Sequence, residues 1–151
     1  MTRLLTVSLA TMLAFVACSP DPLEQYFDRV GEITATMRRD SIVALPDPSQ
    51  PTPERVAGVI EARRSATNAL EVMTPPAEIR PEHGALVLAL SDMTDAGDRI
   101  LAETSQLDSS AFIAAIESAI TLDETARRVT IACGALKTRA HQLGYDFDLR
   151  C

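Results

Sequence analysis

Three cysteines and two histidines are the residues of this 151-residue chain best suited to metal binding or nucleophilic chemistry: Cys18, Cys133, Cys151, His83 and His141. The histidines fall at the start of one predicted helix and near the end of another, and no Glu-x-x-His or Cys-x-x-Cys-His motif occurs. Zinc, di-iron and covalently attached haem sites depend on such motifs or on clustered ligands. We therefore expect no metal ligands, no cofactor and no catalytic residues, and we do not expect an enzyme.

His83 has a structural and a functional interpretation. It lies in the first turn of a predicted helix, where the helix dipole disfavours a protonated imidazole, so we expect a neutral ring at pH 7. The structural interpretation is a hydrogen bond to the proline-rich connector, residues 74–81. The functional interpretation is that His83 lines a small pocket.

Acidic residues follow one side of the same predicted helix. Asp92, Asp95 and Asp98 are spaced by three, with Glu103 beyond them. This spacing would suit a divalent cation site, but Arg99 stands four residues after Asp95, where it can form an ion pair with it. We interpret the residues as a solvated face.

The first 20 residues have the pattern of an export signal. A positive start at Arg3 precedes an apolar run, residues 4–15, and Pro20 follows soon after it. A spanning helix needs about 20 apolar residues, so the run is too short to cross a bilayer. The sequence Phe15-Val16-Ala17-Cys18 resembles the lipobox of bacterial lipoproteins, although Phe15 stands where leucine is usual.

The lipobox resemblance implies a cleaved signal peptide, residues 1–17, and a mature chain, residues 18–151, anchored to a bacterial membrane through lipidated Cys18. Multiple acylation provides stable anchoring without a further membrane segment. The location would be extracytoplasmic. In a Gram-negative host, Ser19 resembles the signal that sorts lipoproteins to the periplasmic face of the outer membrane. The alternative is an ordinary secretory peptide cleaved near Ala17, with Cys18 as a chance thiol.

Charge and composition limit the partners and the fold class. The net charge is −7, and removing Arg3 with the signal makes it −8, so nucleic acid is not expected as a partner. Aromatic residues make up only 4% of the chain, while alanine is abundant and the apolar residues recur at helical spacing. These features predict a single all-α domain.

Helix starts and stops divide the mature chain into four predicted helices. Asp21-Pro22 and Thr52-Pro53 are capping starts, and prolines end the first two helices before residue 46 and after residue 73. The third spans about residues 81–104; Gly97 within it would be favoured where a neighbouring helix approaches closely. The fourth is predicted as one long helix from residue 109 to 143. Short connections favour an up-down-up-down four-helix bundle.

The last residues are predicted as an extended tail. Gly144 is a natural helix terminator, and Tyr145, Phe147 and Leu149 then alternate with polar residues, which is typical of a segment with one buried face. An extended tail of this length reaches far enough to bring Cys151 back to Cys133. If Cys18 is lipidated, these two form the one remaining pair, and we expect a disulfide between them. The alternative is that Cys133 is a buried core thiol and that Cys151 is a free thiol at a frayed C-terminal end.

Motifs in the second half of the chain resemble small bacterial lipoproteins of uncharacterised function. They are Ala-Cys-Gly-Ala-Leu around Cys133, Asp-Leu-Arg-Cys at the end, and Pro-Pro-Ala-Glu upstream of His83. The resemblance implies no activity. The sequence thus predicts a lipid-anchored binding or structural module of the cell envelope with an envelope protein as possible partner. The alternative function is a carrier of a small apolar ligand or cofactor in an interhelical pocket.

Overall fold

The computed structural model describes residues 21–122, 124–147 and 149, and gives the backbone alone for residues 120–122. These residues form an all-helical domain without strands, as predicted. The predicted lipidation site Cys18 lies outside the described residues, and so does Cys151. The helices are α1 (Pro22–Ala44), α2 (Pro53–Glu71), a 3-10 helix (Ala77–Ile79), α3 (Arg80–Thr104), α4 (Ser109–Leu122) and α5 (Glu124–Gln142).

Three helices begin where the sequence places a side-chain cap. The carboxylate of Asp21 accepts a hydrogen bond from the backbone N–H of Leu23, and the hydroxyl of Thr52 accepts one from Arg55. Asp108 caps α4 in the same way through the N–H of Ser110. Each cap satisfies N–H groups that have no partner within the helix.

The helices pack in chain order around one core. α1 lies against α2, α2 against α3, and α3 against both α4 and α5. A Cβ atom placed on Gly97 would lie 3.0 Å from Cγ1 of Ile60 on α2, which confirms the predicted close approach at this glycine. Gly58 marks a second close approach, where a Cβ atom would lie 2.8 Å from Cβ of Ala44.

The region of the predicted fourth helix is described as two helical segments with one residue between them. α4 ends at Leu122 and α5 begins at Glu124, with Asp123 outside the described residues. Ala126, a member of the predicted apolar stripe, is exposed, whereas Val129 is buried. The structure therefore has five α-helices in its described part where the sequence predicted four.

The tail after α5 has the predicted alternation. Gly144 ends the helix with a φ of 88°, a conformation that glycine adopts without steric cost. Phe147 and Leu149 are buried, Tyr145 is half-buried, and Asp146 between them is exposed. The tail packs on α1, since the ring centroids of Phe147 and Phe27 are 5.0 Å apart.

In the part of the chain that the structure describes, no helix combines the length and the apolar character needed to cross a membrane.

Candidate functional site

A buried tyrosine–histidine pair joins the start of α1 to the start of α3. The hydroxyl of Tyr26 and Nδ1 of His83 share a hydrogen bond of 2.9 Å. Tyr26 is 4% exposed and His83 is 7% exposed. The described partner of His83 is therefore a side chain of α1, rather than the backbone of the connector that the sequence suggested.

Burial keeps both members of this pair neutral. Desolvation lowers the pKa of His83 below its usual value of 6.5. Desolvation also raises the pKa of Tyr26, and the carboxylate of Glu82 raises it further. One oxygen of Glu82, Oε2, is buried without a hydrogen-bond partner among the described residues. The pair can exchange hydrogen bonds, but at neutral pH it offers neither a charged acid nor a phenolate nucleophile.

A shallow groove of about 750 Å³ lies beside Tyr26. The start of α1 forms one wall through Pro22 and Gln25, and Thr74-Pro75-Pro76 of the connector forms the other. His83 does not line this groove, so its predicted alternative role in a small pocket finds no support there.

The tail and the N-terminal cap of α1 meet at this same end of the molecule. The hydroxyl of Tyr145 donates a hydrogen bond to the carboxylate of Asp21. This bond lowers the pKa of Asp21 and raises the pKa of Tyr145 to about 12. The first residue of the described chain is thereby tied to the tail that follows α5.

Two of the four acidic residues predicted as a solvated face of α3 form ion pairs with neighbouring helices. Asp98 binds Arg64 of α2, with Oδ2 and Nη2 2.6 Å apart. Asp92 binds Arg128 of α5 at 3.2 Å. All four side chains are substantially exposed, so each pair contributes about 0–1 kcal/mol. These contacts agree with a solvated face.

The described residues contain no group of three or more histidine, cysteine or acidic side chains placed to hold a metal ion. His141 is exposed at the end of α5. Cys133 is buried in the core cluster with Leu136 and Ala140. The predicted pairing of Cys133 with Cys151 stays a prediction, because Cys151 lies outside the described residues.

Two apolar spaces lie between the helices. The smaller, about 130 Å³, is lined by Ile60, Gly97 and Ala119 among others. The larger, about 650 Å³, has residues of four helices in its lining; we call it the α1/α5 groove. Its described lining residues are Met37, Arg38, Ser41, Arg63, Leu90, Met93, Ala126, Val129 and Thr130.

The sequence did not identify the partner of His83. Tyr26 is buried on the core side of α1. A tyrosine at a core position is the signal that could have indicated a buried hydrogen bond, because a buried tyrosine hydroxyl usually needs a partner. Which partner it finds depends on how α1 packs against α3.

Comparison of the chain with protein-family models, with curated proteins and with solved structures finds no significant match.

Proposed function

We propose that the protein is a lipid-anchored, extracytoplasmic helical module of the bacterial envelope, held close to the membrane through Cys18. The bond between Tyr145 and Asp21 is the observation that carries the proposal. Cys18 precedes Asp21 by three residues, so a fully extended link spans at most about 11 Å. A lipid on Cys18 would therefore attach to the end of the domain where the tail and α1 are tied together.

The proposed architecture is an up-down-up-down four-helix bundle in which α4 and α5 together take the place of the fourth helix. The contact of Gly58 with Ala44 supports it, because it brings the start of α2 to the end of α1. Arg139 of α5 donates a hydrogen bond to the backbone oxygen of Glu78 just before α3. Arg128, 11 residues earlier in α5, reaches Asp92, which lies 14 residues after Glu78. These two contacts support antiparallel packing of α3 and α5.

A disulfide between Cys133 and Cys151 is part of the proposal. Leu149 is buried in the same core cluster as Cys133 and stands two residues before Cys151. The tail is thus seated on the domain almost to its last residue. In an oxidising compartment the disulfide would fix it there.

The test is the intact mass of the protein extracted from bacterial membranes, measured with and without reduction followed by thiol alkylation. We expect the mass of residues 18–151 with acyl chains on Cys18, and two alkylated thiols that appear after reduction alone. A Cys18→Ser variant should lose the acyl mass and leave the membrane fraction. An unacylated mass for the unchanged protein would contradict the anchor, and thiols that alkylate without reduction would contradict the disulfide.

Partner capture separates the module from the second candidate function, a carrier. Repeated recovery of one envelope protein after crosslinking in cells would support the module.

The α1/α5 groove favours the carrier, because its volume falls within the range of about 300–1,000 Å³ that small-molecule sites have. The 130 Å³ space at Gly97 is below that range.

A further inference from the structure

We infer that the α1/α5 groove binds a free anionic amphiphile, a molecule with one acyl chain and a carboxylate head. The inference deepens the carrier function proposed above. The shape and charge of the groove do not depend on lipidation of Cys18, whereas the preference for a free ligand rests on the proposed anchor. It names both the place in the fold and the chemistry of the ligand.

The floor of the groove is apolar and belongs to the core. Leu90 and Met93 of α3 and Val129 of α5 are each at most 8% exposed, yet all three line the groove. Met37 of α1 is half-buried beside them. Methionine side chains adapt to irregular apolar shapes, which suits a flexible acyl chain better than a rigid ring system.

The rim of the groove is polar and basic. Arg38 and Ser41 of α1 stand on one side and Thr130 of α5 stands on the other. Arg38 is exposed, and it also lines the adjoining space along α1. The described lining residues of the groove include no carboxylate, although the chain has 21 acidic residues and a net charge of −7. A guanidinium can hold a carboxylate through two parallel hydrogen bonds, so the rim is complementary to that head group.

The described tail packs on the N-terminal half of α1. Tyr145 contacts α1 at Phe27, and Phe147 contacts it at Phe27 and beside Gly31. The described tail therefore follows α1 in the direction of its C-terminal half. None of the described tail residues lines the groove, whose first lining residue on α1 is Met37.

The position along α1 favours a free amphiphile over a lipid still in the bilayer. Met37 stands 15 residues after Pro22, which corresponds to about 22 Å along the helix axis. The proposed anchor is at the Pro22 end. A ligand in the groove would thus lie well away from the anchored end of the domain.

The experiment uses the full chain in isolated bacterial membranes and a palmitate analogue with a photoactivatable diazirine within its acyl chain. The matching alcohol, which has the same tail and no charge, is the competing probe. After irradiation, labelled peptides are mapped by mass spectrometry and normalised to the total label on the protein. We expect the carboxylate to label the peptides that contain Met37, Met93 and Val129, and excess palmitate to suppress that labelling.

Two variants test the two halves of the site. Arg38→Gln should reduce labelling of the groove by the carboxylate about fivefold, the effect of one exposed ion pair, and should leave labelling by the alcohol unchanged. Ala126→Trp should reduce labelling by both probes, because the indole would fill the groove from α5. Arg80→Gln is the matched control, since it removes an exposed positive charge at the start of α3, outside the groove. Circular dichroism confirms that each variant keeps its helical content.

The outcomes separate this inference from the broader carrier function. Equal labelling of the groove by carboxylate and alcohol, with no effect of Arg38→Gln, would overturn the anionic head group while leaving a carrier of neutral lipids. Labelling confined to peptides outside the groove, or insensitive to Ala126→Trp, would overturn both. Neither result would affect the anchor, which the mass measurement tests separately.

Discussion

Replacing Tyr26 by phenylalanine removes one buried hydroxyl and keeps the aromatic ring. The change leaves Nδ1 of His83 without its described partner, at a residue that is 7% exposed. Leaving a buried polar group unsatisfied costs about 1–3 kcal/mol, more than the net value of an ordinary hydrogen bond. We therefore expect Tyr26→Phe to lower the free energy of unfolding by about 1–3 kcal/mol. For a domain of this size each kcal/mol corresponds to a melting temperature lower by about 3–4 °C.

The chain supplies a matched control, because it has two tyrosines. The hydroxyl of Tyr145 also makes one side-chain hydrogen bond, to Asp21, but at the surface. Tyr145→Phe should change the free energy of unfolding by less than about 1 kcal/mol, since water replaces the lost partner. The assay is urea unfolding at pH 7.5, followed by circular dichroism at 222 nm.

The double variant Tyr26→Phe/His83→Phe tests whether the two groups act as a pair. Replacing both partners by apolar rings removes both unsatisfied groups, so the double variant should be less destabilised than the sum of the two single variants. A coupling free energy below about 0.3 kcal/mol would refute the reasoning. So would an equal loss for Tyr26→Phe and Tyr145→Phe.

The pH dependence of stability gives an independent measure of His83. Because burial lowers its pKa in the folded state, the unfolded chain binds a proton more readily as the pH falls through 6.5. The folded protein therefore has its full free energy of unfolding above pH 6.5, where His83 is neutral in both states. This free energy decreases as the pH falls below that value. His83→Phe should remove this part of the pH dependence between pH 7.5 and 5.5. An unchanged slope would show that His83 does not titrate differently in the two states.

Three further predictions concern the core, the tail and the α2/α3 approach. Leu136→Ala should lower the free energy of unfolding by about 2–5 kcal/mol, since Leu136 is 0% exposed. Ile131→Ala, on the exposed side of α5, should change it by less than about 1 kcal/mol. Urea unfolding of both variants compares the two losses. Removing the proposed disulfide by Cys151→Ser should lower the free energy of unfolding by on the order of 3 kcal/mol, and reductant should lower the melting temperature of the unchanged protein to a similar extent. A melting temperature that does not respond to reductant would contradict the disulfide. Gly97→Leu should lower the melting temperature by several degrees, because the larger side chain would collide with Ile60, and a melt within 1 °C of the unchanged protein would count against the close approach.

Local sequence signals predicted the helix starts correctly. Asp21 and Thr52 cap α1 and α2, and Pro22 and Pro53 occupy the first turn of these helices. Capping and proline effects act within one helical turn, so they can be recognised without knowledge of the fold. The same holds for the tail, where a period of two predicted the burial of Phe147 and Leu149.

Long-range packing decided the features that the sequence missed. The apolar stripe from residue 112 to 143 placed Ala126 on the buried face of its helix, whereas the structure leaves it exposed. Arg128 reaches Asp92 on α3, a contact between helices that no local pattern indicates. Both outcomes depend on where α3 lies relative to α5.

The sequence alone determined the all-α class, the capped starts of its helices and the alternating tail, since each follows from interactions between residues a few positions apart. The tertiary structure decided the partnership of Tyr26 with His83 and the opening of the α1/α5 groove above Leu90 and Met93. Those features bring together residues from different helices, and their contacts depend on how each helix is rotated and placed against its neighbours. A periodic pattern shows which face of a helix is buried, but the partner on the other side of that face comes from packing alone.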